Sequence, residues 1–166
     1  MDRLWAPWRV EYIRKKSGSC FLCKALRQKN RSRTSAHSFI IEKNKLAFSI
    51  MNRYPYNNGH VLVAPTRHVA TLELLNDKEV LEINRLLVRI IKAINLALKP
   101  NGYNIGINQG HVAGAGLVTH LHFHIVPRWQ GDTNFMPVIG KTKVISEALL
   151  LTYRKIKEEL TKAEEP

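Results

Sequence analysis

Long apolar runs are missing from this sequence of 166 residues. None approaches the ~18 residues that a membrane-spanning helix needs, so no membrane segment is expected. The opening MDRLWAPWRVEYIRKK lacks the apolar stretch of a secretory signal, which makes the cytoplasm the expected location. Cysteine is nearly absent as well. The two that occur, Cys20 and Cys23, form a C-x-x-C. In a reducing compartment that spacing suggests metal or redox chemistry more than a structural disulfide. Acidic side chains are scarce, 13 against 26 Lys plus Arg, for a formal net charge of +13. A field of that sign attracts phosphate, whether on a nucleotide, a nucleic acid or a membrane surface. Internal repeats and low-complexity tracts are lacking too. A content of 45% hydrophobic and 23% charged residues excludes a disordered chain, a collagen and a coiled coil. The length allows one domain with its own core.

The charge is uneven: residues 1–37 hold 10 basic and 2 acidic side chains. They read as an irregular basic N-terminal arm pinned at its centre, with polar loops at 14–19 and 28–35 flanking the C-x-x-C. Residues 38–140 read as the main domain and 141–166 as a C-terminal helical extension of it. Within the domain, 45–51 predicts a strand, Tyr54 to Gly59 a turn, and 60–64 a second strand ended by Pro65, hence an antiparallel pair. The spacing of Val80, Ile83, Leu87, Ile90, Ile91, Ile94 and Leu98 predicts a helix over 77–98. Asn76 is its expected N-cap, with Glu79 placed to complete a capping box. Strands are expected at 103–108 and 119–126, the second ended by Pro127, and a last helix at 145–162. Short links between most strands favour an antiparallel α+β domain.

The chemistry concentrates in Thr119 to Arg128, where His120, His122 and His124 alternate with Leu121, Phe123 and Ile125. In a strand of period two the three imidazoles share one face, about 6.6 Å from one to the next. Buried imidazoles need partners, so three on one face are hard to explain as incidental core residues. A purely metal-binding triad remains the stronger competitor.

The run H-L-H-F-H-I-V resembles the signature of the histidine triad (HIT) nucleotide hydrolases and transferases. MNRYPYNNGHVLVAPTRH resembles that family's nucleotide-pocket hairpin, and GYNIGINQGHVAGAG its glycine-rich phosphate loop. LWAPWRVEYI, C-F-L-C and PRWQGDTNF are similar to a bacterial branch that contains diadenosine tetraphosphate phosphorylases.

The resemblance implies an α+β fold with a five-stranded antiparallel sheet, flanking helices and a homodimer. It implies that His122 attacks the α-phosphorus to form a covalent nucleotidyl-imidazole, splitting one hard displacement into two. His124 would donate toward the phosphate and bridging oxygen, and His60 would orient the His122 ring. Asn52 would contact the ribose or base, with Tyr54, Tyr56, Ile50 and Phe48 as possible walls, although core packing suits Phe48 better. The loop residues Asn108, Gln109, Gly114, Ala115, Gly116 and Leu117 would hold phosphate, partly through backbone amides. Relatives often carry Gln, Ser or Thr where this chain has Gly116 and Leu117, so a side-chain donor is missing there.

By the same resemblance Cys20, Cys23, His68 and His120 would form a structural zinc site, a closed set of two thiolates and two imidazoles. The implied partner is a nucleotide or a dinucleoside polyphosphate such as diadenosine tetraphosphate, with no membrane and no specific nucleic acid. A nucleoside phosphoramidase is the enzyme alternative. The alternative of another class, a nucleic-acid-binding module on the basic arm, lacks the interleaved aromatics of a single-strand binder.

Overall fold

The computed structural model describes residues 20–27, 39–133, 139 and 145–163. The loops expected at 14–19 and 28–35, and most of the basic arm, lie outside the described residues. The elements run α1 (Phe21–Arg27), β1 (Ile40–Lys43), β2 (Ala47–Met51), β3 (Val61–Pro65), a 3₁₀ turn (Leu72–Leu74), α2 (Asp77–Leu98), β4 (Gly102–Ile107), β5 (Phe123–Arg128) and α3 (Leu149–Lys162). The five strands form one antiparallel sheet in the order β1-β2-β3-β5-β4.

Every residue of β2 and β3 is buried. Their side chains therefore meet cover on both faces, and the apolar runs AFSIM and VLVAP suit that position. One cover is α2, which packs on β2, β3 and β5 and is itself flanked by α3. Ile83, Leu86, Ile90 and Ile94 form the inner stripe of α2, and together with Phe48, Val61, Val63, Ile125 and Ile156 they are almost wholly excluded from water. Val80, expected on that stripe, is 39% exposed and Leu86 takes its share instead. The stripe is thus rotated slightly from the one the spacing suggested.

The capping box is present. The Asn76 side chain accepts from the Glu79 amide, and the Glu79 carboxylate accepts from the Asn76 amide, both at 3.0 Å. Glu79 is buried at 2% exposure and also takes a two-pronged bond from Arg67, at 2.9 and 2.7 Å. Asn76→Ala is expected to lower stability by about 1 kcal/mol, the usual cost of an emptied N-cap. A shift of the urea midpoint at constant slope reads it. At the other end Lys99 adopts a left-handed conformation, φ 48°, the C-terminal role that glycine usually fills, and Pro100 then prevents continuation.

Three expectations need correction. The strand foreseen at 119–126 runs from Phe123 to Arg128, so only His124 of the three histidines lies in it. His120 and His122 sit in the chain leading into it. Pro127 does not end that strand but pairs with Tyr103 inside it. β3 stops pairing with β5 at Ile125, so beyond that residue the β3 side is an edge, where a missing N–H breaks no ladder. Finally, the C-x-x-C is not in an irregular stretch: Cys20 precedes α1 and Cys23 lies within it.

Candidate functional site

The turn between β2 and β3 is built by local polar chemistry. Asn52 Oδ1 accepts from the Tyr54 amide at 2.9 Å, a short-range bond that asparagine makes readily. Gly59 has φ +69°, and a Cβ there would lie 2.6 Å from Leu98 Cδ1 and 3.2 Å from Pro127 Cγ. Only glycine meets both the left-handed backbone and the close approach. Asn57 Nδ2 donates to the Pro127 carbonyl at 3.0 Å and to Asp132 Oδ2 at 2.7 Å, tying the turn to the end of β5. Asp132 in turn holds Arg128 through Nε and Nη2 at 2.7 and 2.8 Å.

Those charge-assisted bonds from Arg128 hold the Asp132 carboxyl well below the usual carboxylate range. A carboxyl depressed in the folded state stabilises above its unfolded pKa of about 3.9, and that stability disappears as pH falls through the lower folded value. Asp132→Asn should therefore cost about 1–2 kcal/mol at pH 7, Arg128 being partly exposed and screened. Its deficit should close as pH falls below about 4. Denaturant titrations of both proteins from pH 7 to pH 2 check the sign.

His60 opens onto β3 and is fully buried, and His122 and His124 are buried as well. The Tyr56 amide donates to His60 Nδ1 at 3.0 Å, with Asn52 Nδ2 3.2 Å from the same nitrogen. His60 therefore carries its proton on Nε2, which lies 2.9 Å from His124 Nδ1. That nitrogen accepts, and the His124 proton resides on Nε2. The Tyr56 ring stacks on His124, centroids 5.5 Å apart and 20° between planes. Such stacking was not legible beforehand, because a tyrosine in a turn shows no preference for one neighbouring ring. The expectation had His60 steering His122; the bond seen runs to His124. His122 Nδ1 donates to the His120 carbonyl at 2.9 Å, which in the neutral ring places the lone pair on Nε2. The rings of His122 and His124 are 5.0 Å apart.

His120 faces away from this group. Its Nε2 donates to the Pro65 carbonyl at 2.9 Å, which frees Nδ1, and Nδ1 lies 3.3 Å from Cys20 Sγ and 3.5 Å from Cys23 Sγ. His68 Nδ1 is 3.2 Å from Cys23 Sγ. One donor atom from each of Cys20, Cys23, His68 and His120 lies within 4.8 Å of all the others. Burial, then the neighbouring Cys20, pushes the Cys23 thiol up, and burial pushes the His120 imidazole down toward its neutral form. A metal-to-sulfur bond of about 2.3 Å and a metal-to-nitrogen bond of about 2.0 Å set tetrahedral edges near 3.5 Å. The donor set and its spacing suit a metal ion.

The loop from Asn108 to Thr119 is partly self-satisfied. Gly110 and Gly114 have φ +86° and +85°, and the Gly114 and Ala115 amides donate to the His111 and Gly110 carbonyls. Asn108 lines a cleft with Tyr56, Asn104, Gly106, His124 and Val126. Gln109 does not point there: its Oε1 accepts from the Leu72 amide at 2.8 Å and its Nε2 donates to Glu73 at 3.2 Å. Phe48, named as a possible base wall, is wholly in the core. No helix among the described residues is long and apolar enough to cross a membrane.

A model of the HIT domain matches residues 33–131. AP-4-A phosphorylase of Mycobacterium tuberculosis strain H37Rv is 37% identical over 166 residues, covering 93% of this chain and 82% of that protein. Adenosine 5'-monophosphoramidase hnt1 of Schizosaccharomyces pombe is 35% identical over 83 residues, 50% of this chain and 59% of that protein. Among solved structures, a Zn-bound histidine triad family protein from Mycobacterium smegmatis aligns with a TM-score of 0.69 at 25% identity, covering 89% of this chain and 96% of that one.

Proposed function

The chain belongs to the HIT domain family and is a nucleotide hydrolase or transferase, and from that premise we propose that it cleaves a dinucleoside polyphosphate at the α-phosphate through a nucleotidylated His122. The observation that carries this reading is the bond from His122 Nδ1 to the His120 carbonyl, which presents the Nε2 lone pair of a neutral ring. Nε2 attacks the α-phosphorus, an N–P bond forms, and the bridging P–O bond breaks to release a nucleoside polyphosphate. His124, holding its proton on Nε2 through the chain from the Tyr56 amide and His60, donates a hydrogen bond from that nitrogen to the phosphate and the bridging oxygen, so that the polyphosphate leaves as a stabilised anion. Water or inorganic phosphate then attacks the same phosphorus, the N–P bond breaks, and a mononucleotide leaves.

Asn52 and Asn108, with Gly114, Ala115, Gly116 and Leu117, bind the nucleotide in this reading. Since the Gly114 and Ala115 amides are engaged within the loop, the Gly116 and Leu117 amides are the donors offered to phosphate.

Zinc fits the Cys20, Cys23, His68 and His120 set, where it would act structurally: four protein ligands close a tetrahedral site. The homodimer belongs to the same reading. Among the described residues β4 forms one edge of the sheet, with Ile105 49% exposed, and such an edge is a surface that a second copy covers. Light scattering is expected to return twice the chain mass.

Product analysis tests the activity. Diadenosine tetraphosphate should yield AMP and ATP with water alone, and ADP and ATP when phosphate takes the nucleotidyl group. The phosphoramidase reading, favoured by the likeness to the Schizosaccharomyces pombe enzyme, predicts instead that an adenosine phosphoramidate is turned over and the tetraphosphate is not.

A further inference from the structure

Gln109 stands beside the glycine-rich loop, yet its side chain is spent on a different segment. We propose that Gln109 is a positioning residue that anchors the entry of this loop to the 3₁₀ turn at Leu72–Leu74, and that it makes no contact with the nucleotide. The proposal rests on the reading of that loop as the phosphate-binding element.

The turn at Leu72–Leu74 starts without a cap: the Thr71 side chain makes no capping hydrogen bond. Its first amide, that of Leu72, would be one of the orphan donors of a helical N-terminus. Gln109 Oε1 accepts from it at 2.8 Å. The other half of the amide donates to Glu73 Oε2 at 3.2 Å. The two contacts together fix the orientation of the amide, since an oxygen meets an N–H and a nitrogen meets a carboxylate. They also help hold the Glu73 carboxyl low, behind its own backbone amide and Thr71.

The loop's exit is pinned to the same stretch. The Leu121 amide donates to the Val69 carbonyl at 2.7 Å. The chain between Gln109 and Leu121 therefore leaves and returns to residues 69–73, with one internal turn closed by the Gly114 and Ala115 amides. Leu121 lies between His120 and His122. An anchor at Gln109 thus sets where the loop amides stand relative to the nucleophile, and loosening it spreads those amides over more conformations, which weakens substrate binding more than the chemical step.

A charge swap tests this. Gln109→Ala is expected to raise KM for diadenosine tetraphosphate about three- to tenfold, with a smaller change in kcat, the scale of one or two partly exposed hydrogen bonds. Hydrogen exchange of the Leu72 amide in nucleotide-free protein should speed up. Gln109→Glu keeps the acceptor for Leu72 but sets two carboxylates together, so KM should rise similarly. Adding Glu73→Gln restores an amide–carboxylate pair of opposite polarity and should return both KM and Leu72 exchange toward wild type, whereas Glu73→Gln alone, which keeps an acceptor for Gln109, should change little. Unchanged Leu72 exchange in Gln109→Ala, or no rescue by the swap, would overturn the anchor and favour direct contact with substrate. Should the protein turn over no nucleotide at all, the functional reading fails, while the exchange of Leu72 and its rescue still decide the anchor.

Discussion

His122→Ala is expected to lose at least about three orders of magnitude in turnover, because removing the nucleophile removes the covalent path itself. The neighbouring geometry makes the experiment clean. His122 Nδ1 donates to the His120 carbonyl, so the substitution takes this donor from that carbonyl, a stability cost of about 1 kcal/mol. The paired rings of His60 and His124 keep their mutual bond. Circular dichroism should therefore show a folded variant. Wild-type enzyme quenched in alkaline denaturant, where an N–P bond survives, should carry one nucleotidyl group, found by mass spectrometry on the peptide with His122, and the variant none. A rate above about a tenth of wild type would place the nucleophile elsewhere.

What could be read in advance followed from periodicity and local chemistry. The 22 residues of α2 repeat their apolar positions often enough to define a face, and the Asn76–Glu79 box acts within one turn. β2 and β3 show as apolar runs flanking a turn rich in Pro, Asn and Gly. α1 escaped because its seven residues contribute only Leu22 and Ala25 to the core, too few for a pattern. β1, with four residues, was equally short. The strand boundary at the histidines falls later than expected because the alternation in sequence continues through His120 and His122, while the chain bends at His120 and joins the ladder only at Phe123. The four donors at Cys20, Cys23, His68 and His120 are far apart in the chain, and only the resemblance joined them beforehand. Gln109 and His60 show the remaining limit. An amide or an imidazole next to a motif has several neighbours within reach, and its partner is set by how the fold brings Leu72 and His124 beside it.

The second large effect concerns metal. Purified protein is expected to hold about one zinc per chain, and Cys23→Ser to lose it together with roughly 10 °C or more of thermal stability. The ligands come from the start of α1 and the residue before it, from the residues just after β3 and from the segment entering β5. One ion then closes loops of 45 and 52 residues, from Cys23 to His68 and from His68 to His120, and such closures restrict the unfolded chain most when the loops are long. The His120 ring is prepared for the task, its Nε2 proton held by the Pro65 carbonyl and its Nδ1 turned to both sulfurs. The thiols must lose protons to bind, and burial pushes Cys23 the other way, so zinc affinity should fall as pH is lowered. Because four protein donors leave no position for a substrate, the ion's effect on catalysis passes through His120, whose carbonyl orients His122. Chelation should thus lower the melting temperature first and turnover only as the His120 segment loosens. Loss of turnover on chelation with an unchanged melting curve would show that the metal acts in catalysis. A metal-free protein as stable as the purified one would return the C-x-x-C to redox chemistry.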